Sequence, residues 1–145
     1  MVEELDHMDP TLERSFRGHS GEVNSVAFNP NMKQLVSGSS DSTVRVYNFK
    51  PDMRALTFRG HTAGVLAVAA SPTGRLVASG SKDRSVRIWQ MSAGKTTRLP
   101  GESKKMQMHT ASVRCVSFSS DEEQLLSASD DKMVKVWSVP GQRFL

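Results

Sequence analysis

The chain has 145 residues, a formal net charge of +4 and a single cysteine, Cys115. One thiol excludes an internal disulfide and suits a reducing compartment. No apolar run approaches the ~20 residues needed to span a bilayer, and the acidic N-terminus resembles neither a secretory leader nor an arginine-rich transit peptide; cytosol or nucleus is the expected compartment.

The charge is unevenly spread. Residues 1–13 carry five acids and no base, residues 14–105 carry fifteen Lys or Arg against five acids, and residues 106–145 carry four against five. Two of the central acids, Asp41 and Asp83, recur at a fixed place in a repeat and belong to its frame. The exposed middle of the chain is therefore basic, which favours acidic partners such as nucleic acid, tubulin or an anionic surface.

In chain order, residues 1–10 read as a disordered acidic N-terminus closed by Asp9-Pro10. Residues 11–17, with Leu12–Arg17 as their centre, read as a lone strand. A first unit, 18–60, opens on Gly18-His19 and holds strands at Val23–Phe28, Leu35–Ser39, Thr43–Phe49 and Arg54–Arg59. A second, 61–108, opens on His61 and holds Val65–Ala70, Leu76–Ser81 and Ser85–Met91. Its fourth strand is expected at Lys104–Met108, after a loop insertion near 92–105 that turns at Pro100-Gly101. A third, 109–145, holds Val113–Phe118, Leu125–Ser129 and Met133–Val139 and lacks a complete outer strand. Short β-branched runs at regular spacing, punctuated by turn residues, are an all-β pattern.

The units share one constellation. Asp41, Asp83 and Asp131 each lie 22 residues after a histidine (His19, His61, His109) and six before an aromatic (Tyr47, Trp89, Trp137). A repeat of roughly 40–45 residues with GH near its start and an aromatic near its end resembles a WD40 blade. The resemblance implies an all-β fold of three four-stranded antiparallel repeats. Closed propellers have about 4–8 blades, so three make an incomplete one. It also implies that Leu12–Arg17 is the clasp strand of a blade that does not precede it. Open blade edges invite pairing with another chain. Two arrangements answer that: a piece of a longer product, or two copies joined as a ring of six.

Each unit also holds a serine, giving His19, Ser37 and Asp41; His61, Ser79 and Asp83; and His109, Ser127 and Asp131. One such set could suggest a hydrolase triad, but three at fixed spacing do not, and no G-x-S-x-G elbow accompanies them. They read as a structural relay. The Asp accepts from the His and from nearby amides, the His bonds the Ser, and the Ser bonds the indole of Trp89 or Trp137. Tyr47 stands in the indole's place in the first unit, and Met108 replaces the glycine before His109. Catalytic residues, metal and cofactor are all expected to be none. There is no zinc-spaced Cys/His cluster, no P-loop and no G-x-G-x-x-G, and the fourth histidine is His7, outside the repeats.

By the same resemblance, partner-reading positions flank the opening valine of each first strand and precede the turn aspartate. Here they are Glu22, Asn24 and Ser40; Gly64, Leu66 and Lys82; and Ser112, Arg114 and Asp130. Arg84, Lys104 and Lys105 join them as basic residues in turns or loops. Arg45, Arg87 and Lys135 share a strand face with the aromatic two residues on, and their stems are expected to pack there. The set suits a protein partner. Nucleic acid is disfavoured, because the nine aromatics do not interleave with an exposed basic run.

A narrower likeness lies outside the repeat consensus. Asp9-Pro10-Thr11-Leu12-Glu13-Arg14-Ser15-Phe16-Arg17-Gly18-His19, Met53-Arg54-Ala55-Leu56-Thr57-Phe58-Arg59-Gly60-His61, His109-Thr110-Ala111-Ser112-Val113-Arg114 and Ser127–Trp137 with Gln142-Arg143-Phe144-Leu145 resemble the proteome-of-centriole protein 1 family. That resemblance implies a non-catalytic scaffold, located in the cytoplasm and cytoskeleton at centrioles or basal bodies. It would support the microtubule triplet wall and ciliogenesis, with tubulin or centriolar proteins as partners. The loop at Ser92–Lys105 departs from the family's pattern. The competing reading is a generic WD40 adaptor, such as a ubiquitin-ligase substrate receptor or signalling scaffold. Trp89-Gln90-Met91-Ser92 and Trp137-Ser138-Val139-Pro140 lack the W-D-x-R motif that many such receptors carry.

Overall fold

The computed structural model describes residues 9–50, 54–91 and 109–139. Ten strands follow in order: β1 Val23–Phe28, β2 Gln34–Ser39, β3 Thr43–Asn48, β4 Leu56–Arg59, β5 Val65–Ala70, β6 Leu76–Ser81, β7 Val86–Gln90, β8 Val113–Phe118, β9 Gln124–Ser129 and β10 Val134–Ser138. They form three antiparallel sheets, β1-β2-β3-β4, β5-β6-β7 and β8-β9-β10, here called blades one, two and three. The described residues are all-β, built as three propeller blades, and among them no ring is closed. The expected strands are present within one or two residues at each end. Lys104–Met108, the insertion at 92–105 and most of residues 1–10 lie outside the described residues.

Leu12–Arg17 is the exception: it forms no strand. A strand needs a free edge to pair with; the blade that a clasp strand would complete is not among the described residues, and the outer edge of β3 is taken by β4, with Val44 opposite Phe58 and Val46 opposite Leu56. The segment still has a fixed place. The Phe16 ring lies 5.2 Å from that of Tyr47 and 6.1 Å from that of Phe49, and the Arg14 guanidinium donates to the Phe49 carbonyl. At the equivalent point one blade on, Phe58 stacks on Trp89 at 5.3 Å. Phe16 thus occupies an outer-strand position without an outer strand's ladder.

The core lies between blades. Val36, Val44, Val46 and Phe58 of blade one pack on Val65, Val68, Val77 and Trp89 of blade two. Ala67, Ala78, Val86 and Ile88 of blade two pack on Val113, Val116 and Leu125 of blade three. Burying each such valine or leucine contributes roughly 1.5–3 kcal/mol. The approach is close enough to require glycine. A Cβ at Gly38 would lie 2.6 Å from Val65 Cγ1, and one at Gly80 would lie 2.6 Å from Val113 Cγ1. Polar bridges finish both joints: Asn24 Nδ2 donates to the Val65 carbonyl at 2.9 Å and the Val68 amide to Ser25 Oγ at 3.1 Å. Across the second joint, Glu122 accepts from the Thr73 amide at 3.0 Å and from Arg75 Nη2 at 3.0 Å. Burial would raise the Glu122 pKa, but these donors outweigh it and hold the carboxyl below its ordinary value.

Among the described residues, the outward faces have no such cover. Val23, Val26 and Phe28 on blade one are 52, 67 and 75% exposed, and Leu126, Val134 and Val136 on blade three are 45, 68 and 59% exposed.

Candidate functional site

Each blade brings its histidine, serine and aspartate together at the start of the second strand pair. In blade two, His61 Nδ1 lies 2.8 Å from Asp83 Oδ2, His61 Nε2 lies 2.7 Å from Ser79 Oγ, and the Trp89 indole N–H donates to Ser79 Oγ at 2.9 Å. Blade three repeats this with His109–Asp131 at 2.8 Å, His109–Ser127 at 2.7 Å and Trp137 to Ser127 at 2.8 Å. Chemistry fixes the direction. A carboxylate only accepts, so the histidine Nδ1 carries a proton. In the neutral ring Nε2 then accepts from the serine hydroxyl, whose oxygen accepts from the indole. Every donor in the chain finds an acceptor.

Blade one has the first half only. His19 Nδ1 meets Asp41 Oδ2 at 2.9 Å, and His19 Nε2 meets Ser37 Oγ at 2.6 Å. Among the described residues, no hydrogen bond joins Tyr47 to Ser37. The phenol ring keeps the T-shaped contact with its histidine, 6.3 Å between centroids, that Trp89 and Trp137 make at 6.1 and 6.4 Å.

The aspartates are the hub. Asp83 also accepts from the Thr62 amide at 3.0 Å and the Ser85 amide at 2.9 Å. Asp41 accepts from the Ser20 amide at 3.0 Å and the Thr43 amide at 2.9 Å, and Asp131 from the Thr110 amide at 3.1 Å and the Met133 amide at 2.9 Å. Burial alone would raise their pKa values. The converging donors win, holding Asp41 and Asp83 far below the usual carboxylate range and Asp131 down to about 2. The backbone after each aspartate turns left-handed, at Ser42 (φ 74°), Arg84 (φ 74°) and Lys132 (φ 72°).

These contacts match a hydrolase triad bond for bond, but the serines have no access. Ser37, Ser79 and Ser127 are 2, 0 and 1% exposed. A hydroxyl this deeply buried has no route to substrate, and in blades two and three an indole engages it as well. Among the described residues, no group of His, Cys, Asp or Glu is arranged to hold a metal ion.

The rim beside the relay is open to solvent. Glu22, Asn24, Ser40, Lys82, Arg84, Arg114 and Asp130 are exposed there, while Gly64, Leu66 and Ser112 are partly buried. Backbone bonds tie the rim positions into pairs: Ser40 N to Glu22 O at 2.8 Å, Lys82 N to Gly64 O at 2.9 Å and Asp130 N to Ser112 O at 3.0 Å. Asn24 Nδ2 reaches Ser40 Oγ at 3.1 Å, and Arg114 Nε donates to Asp130 Oδ1 at 2.7 Å. That pair raises the Arg114 pKa and lowers that of Asp130. Lys104 and Lys105 lie outside the described residues.

Plain strand alternation misses one feature of this rim. The β1–β2 register passes from Val23 opposite Ser39 to Ser25 opposite Gly38, and skips Asn24. The same bulge skips Leu66 in β5 and Arg114 in β8. An extra residue in one strand re-aims its side chain. The signal was present in the sequence: Val23/Val26, Val65/Val68 and Val113/Val116 are spaced by three, where a regular strand face repeats every two.

The basic series behaves differently from the rim. Arg87 lies over the Trp89 ring at 5.8 Å and Lys135 over Trp137 at 5.7 Å, as amphipathic stems packing on an aromatic should. Arg45 Nη1 would sit 2.3 Å from a Cβ at Gly18, whose φ is 146°. Glycine before the histidine therefore makes room for the arginine.

A repeated antiparallel sheet with a His–Asp hydrogen bond at each opening turn defines a WD-repeat propeller segment. The chain matches the family described as WD domain, G-beta repeat over residues 10–48, 54–90 and 101–138, and it belongs to that family. Repeats of this class indicate protein–protein interaction.

More narrowly, the chain is similar to centriolar proteins. It is 60% identical over 47 residues to POC1 centriolar protein homolog A of Xenopus tropicalis, a stretch covering 32% of this chain and 11% of that protein. It is 49% identical over 55 residues to POC1 centriolar protein homolog B of Xenopus laevis, covering 38% and 11%. With POC1 centriolar protein homolog A of Bos taurus it shares 55% over 47 residues, covering 32% and 12%. The matched part thus spans about a tenth of each relative.

Proposed function

We propose that this chain is a non-catalytic protein-binding scaffold of the centriole or basal body, contributing to the microtubule triplet wall and to ciliogenesis. The likeness to the POC1 centriolar proteins carries the reading, and the burial of all three serines supports its non-catalytic part. The His–Ser–Asp–aromatic sets hold the blades, and recognition belongs to Glu22, Asn24, Ser40, Gly64, Leu66, Lys82, Arg84, Ser112, Arg114 and Asp130. Tubulin is the partner of choice. It is acidic, and blade two presents Lys82 and Arg84 together on the exposed rim, where opposite charge steers encounter.

The domain limits follow from this assignment: a clasp segment at 11–17 and repeats at 18–60, 61–108 and 109–145, in a cytoplasmic, cytoskeletal protein. Co-sedimentation with microtubules tests the partner. Binding should weaken steeply as salt rises, and again on Lys82→Glu with Arg84→Glu. Pelleting that ignores both salt and charge reversal removes tubulin from the proposal. A tagged chain that stays away from centrioles removes the location.

A further inference from the structure

We infer that the turn between β5 and β6 is a carboxylate-binding site, and that Glu122 of blade three is its built-in ligand and the polar pin of the second joint. The turn is shaped by its own residues. The Ser71 amide donates to the Leu76 carbonyl and the Gly74 amide to the Ser71 carbonyl, both at 2.9 Å, and the Leu76 amide donates to Ser71 Oγ at 3.0 Å. Thr73 Oγ1 accepts from Arg75 N and Nε, each at 3.3 Å, which leaves its own proton to donate elsewhere. Three donors then converge on one group. Glu122 Oε1 accepts from the Thr73 amide at 3.0 Å and the Thr73 hydroxyl at 2.6 Å, and Oε2 accepts from Arg75 Nη2 at 3.0 Å. Donors aimed at both oxygens select a carboxylate, because an amide in the same place would turn its own N–H groups toward one of them. The Glu122 side chain is 3% exposed, so these donors hold its charge in place of water.

The two joints are pinned at opposite ends. In the first, Asn24 and Ser25 bridge the blades at the bulge, close to the His–Asp turns. Leu66 and Ala67 hold the equivalent places in blade two, and neither has a polar side chain to offer the second joint. At the far end of the strands the order reverses. Gly74 and Glu122 occupy the same left-handed turn position, at φ 79° and 64°, and their amides donate to Ser71 and Ser119 alike. Gly74 brings the first joint only its carbonyl, which Asn29 Nδ2 reaches at 3.4 Å. Glu122 brings the second joint a carboxylate. Blade three is thus held to blade two at the end away from the His–Asp turns.

Chemical rescue of the full chain tests this. Glu122→Gly removes the ligand without straining the turn, since glycine suits a positive φ, and propionate in solution has the shape and charge of the side chain removed. The variant should melt more than about 5 °C below the parent. Propionate should raise its melting temperature to a plateau, whereas propionamide or sodium chloride at the same concentration should not. The parent, whose site is filled, should not respond to propionate, and adding Thr73→Val to the variant should weaken the response. A variant that melts with the parent overturns the inference. So does one that responds to propionate no more than to propionamide or salt, or no more than the parent does. Folding of the variant only in propionate supports the site. Should it fold in neither condition, Thr73→Val in the parent decides: a lowered melting temperature supports the site and an unchanged one overturns it.

Discussion

Blades one and two follow the same plan and use the same residue types at the same positions, yet their valines differ in burial. Val65 and Val68, opening blade two, are 0 and 7% exposed, while Val23 and Val26, opening blade one, are 52 and 67% exposed. The residues are alike and the neighbour is not. In this architecture an apolar position reports on the blade next door more than on its own sheet. The relay shows the same contrast: Trp89 closes it in blade two, and Tyr47 leaves it open in blade one.

The sharpest way to break that comparison is a matched pair, Val65→Asp and Val23→Asp. The first buries an unpaired charge and should cost about 3–5 kcal/mol. The second, half in water on a bare face, should cost less than about 1 kcal/mol in dilute solution. Urea unfolding of both variants measures the gap, and equal losses would mean that blade one's rear face is covered.

Next in size is the relay hub. Asp83→Ala strands the His61 N–H and two amides, at about 2–3 kcal/mol. Acid should do to all three aspartates what this variant does to one. Their folded pKa values are depressed, so the stability they contribute is complete above the ordinary 3.8 and drains as pH falls through the folded values, which for Asp131 is about 2. A melting temperature that stays level from neutral pH down to 2 would contradict this.

Smaller again is Trp89→Phe, which removes the donor to Ser79 and trades the buried indole stacked on Phe58 for a smaller ring, for about 2 kcal/mol. Tyr47→Phe should fall within about 0.5 kcal/mol, because its hydroxyl holds no place in the relay. Smallest is Arg114→Ala: its charged partner among the described residues, Asp130, is on the exposed rim, so the melting temperature should not move while partner binding through that rim does.

Much of this was legible in the sequence for a definite reason. The His–Asp spacing of 22 recurs three times, and a repeated spacing constrains a fold far more than one occurrence does. The strands followed from β-branched runs and turn residues. Leu12–Arg17 did not behave as its pattern suggests, because pairing is a property of two segments and the pattern describes one. Tyr47 could be seen as a substitution, but that its hydroxyl makes no hydrogen bond to Ser37 depends on packing distances that the sequence does not state. The bulge at Asn24, Leu66 and Arg114 was written in the three-residue valine spacing, yet plain alternation reads past it.

That bulge has a consequence for engineering. Residues 24, 66 and 114 stand outside the β-ladder, so they can be exchanged without unpicking a ladder bond, although a change at 24 gives up the Asn24 bridge to the Val65 carbonyl. With residues 40, 82 and 130 beside them, they make a six-position palette for a randomised library. A new specificity selected from it would rest on intact strand ladders, and each blade could be varied while the other two serve as its controls.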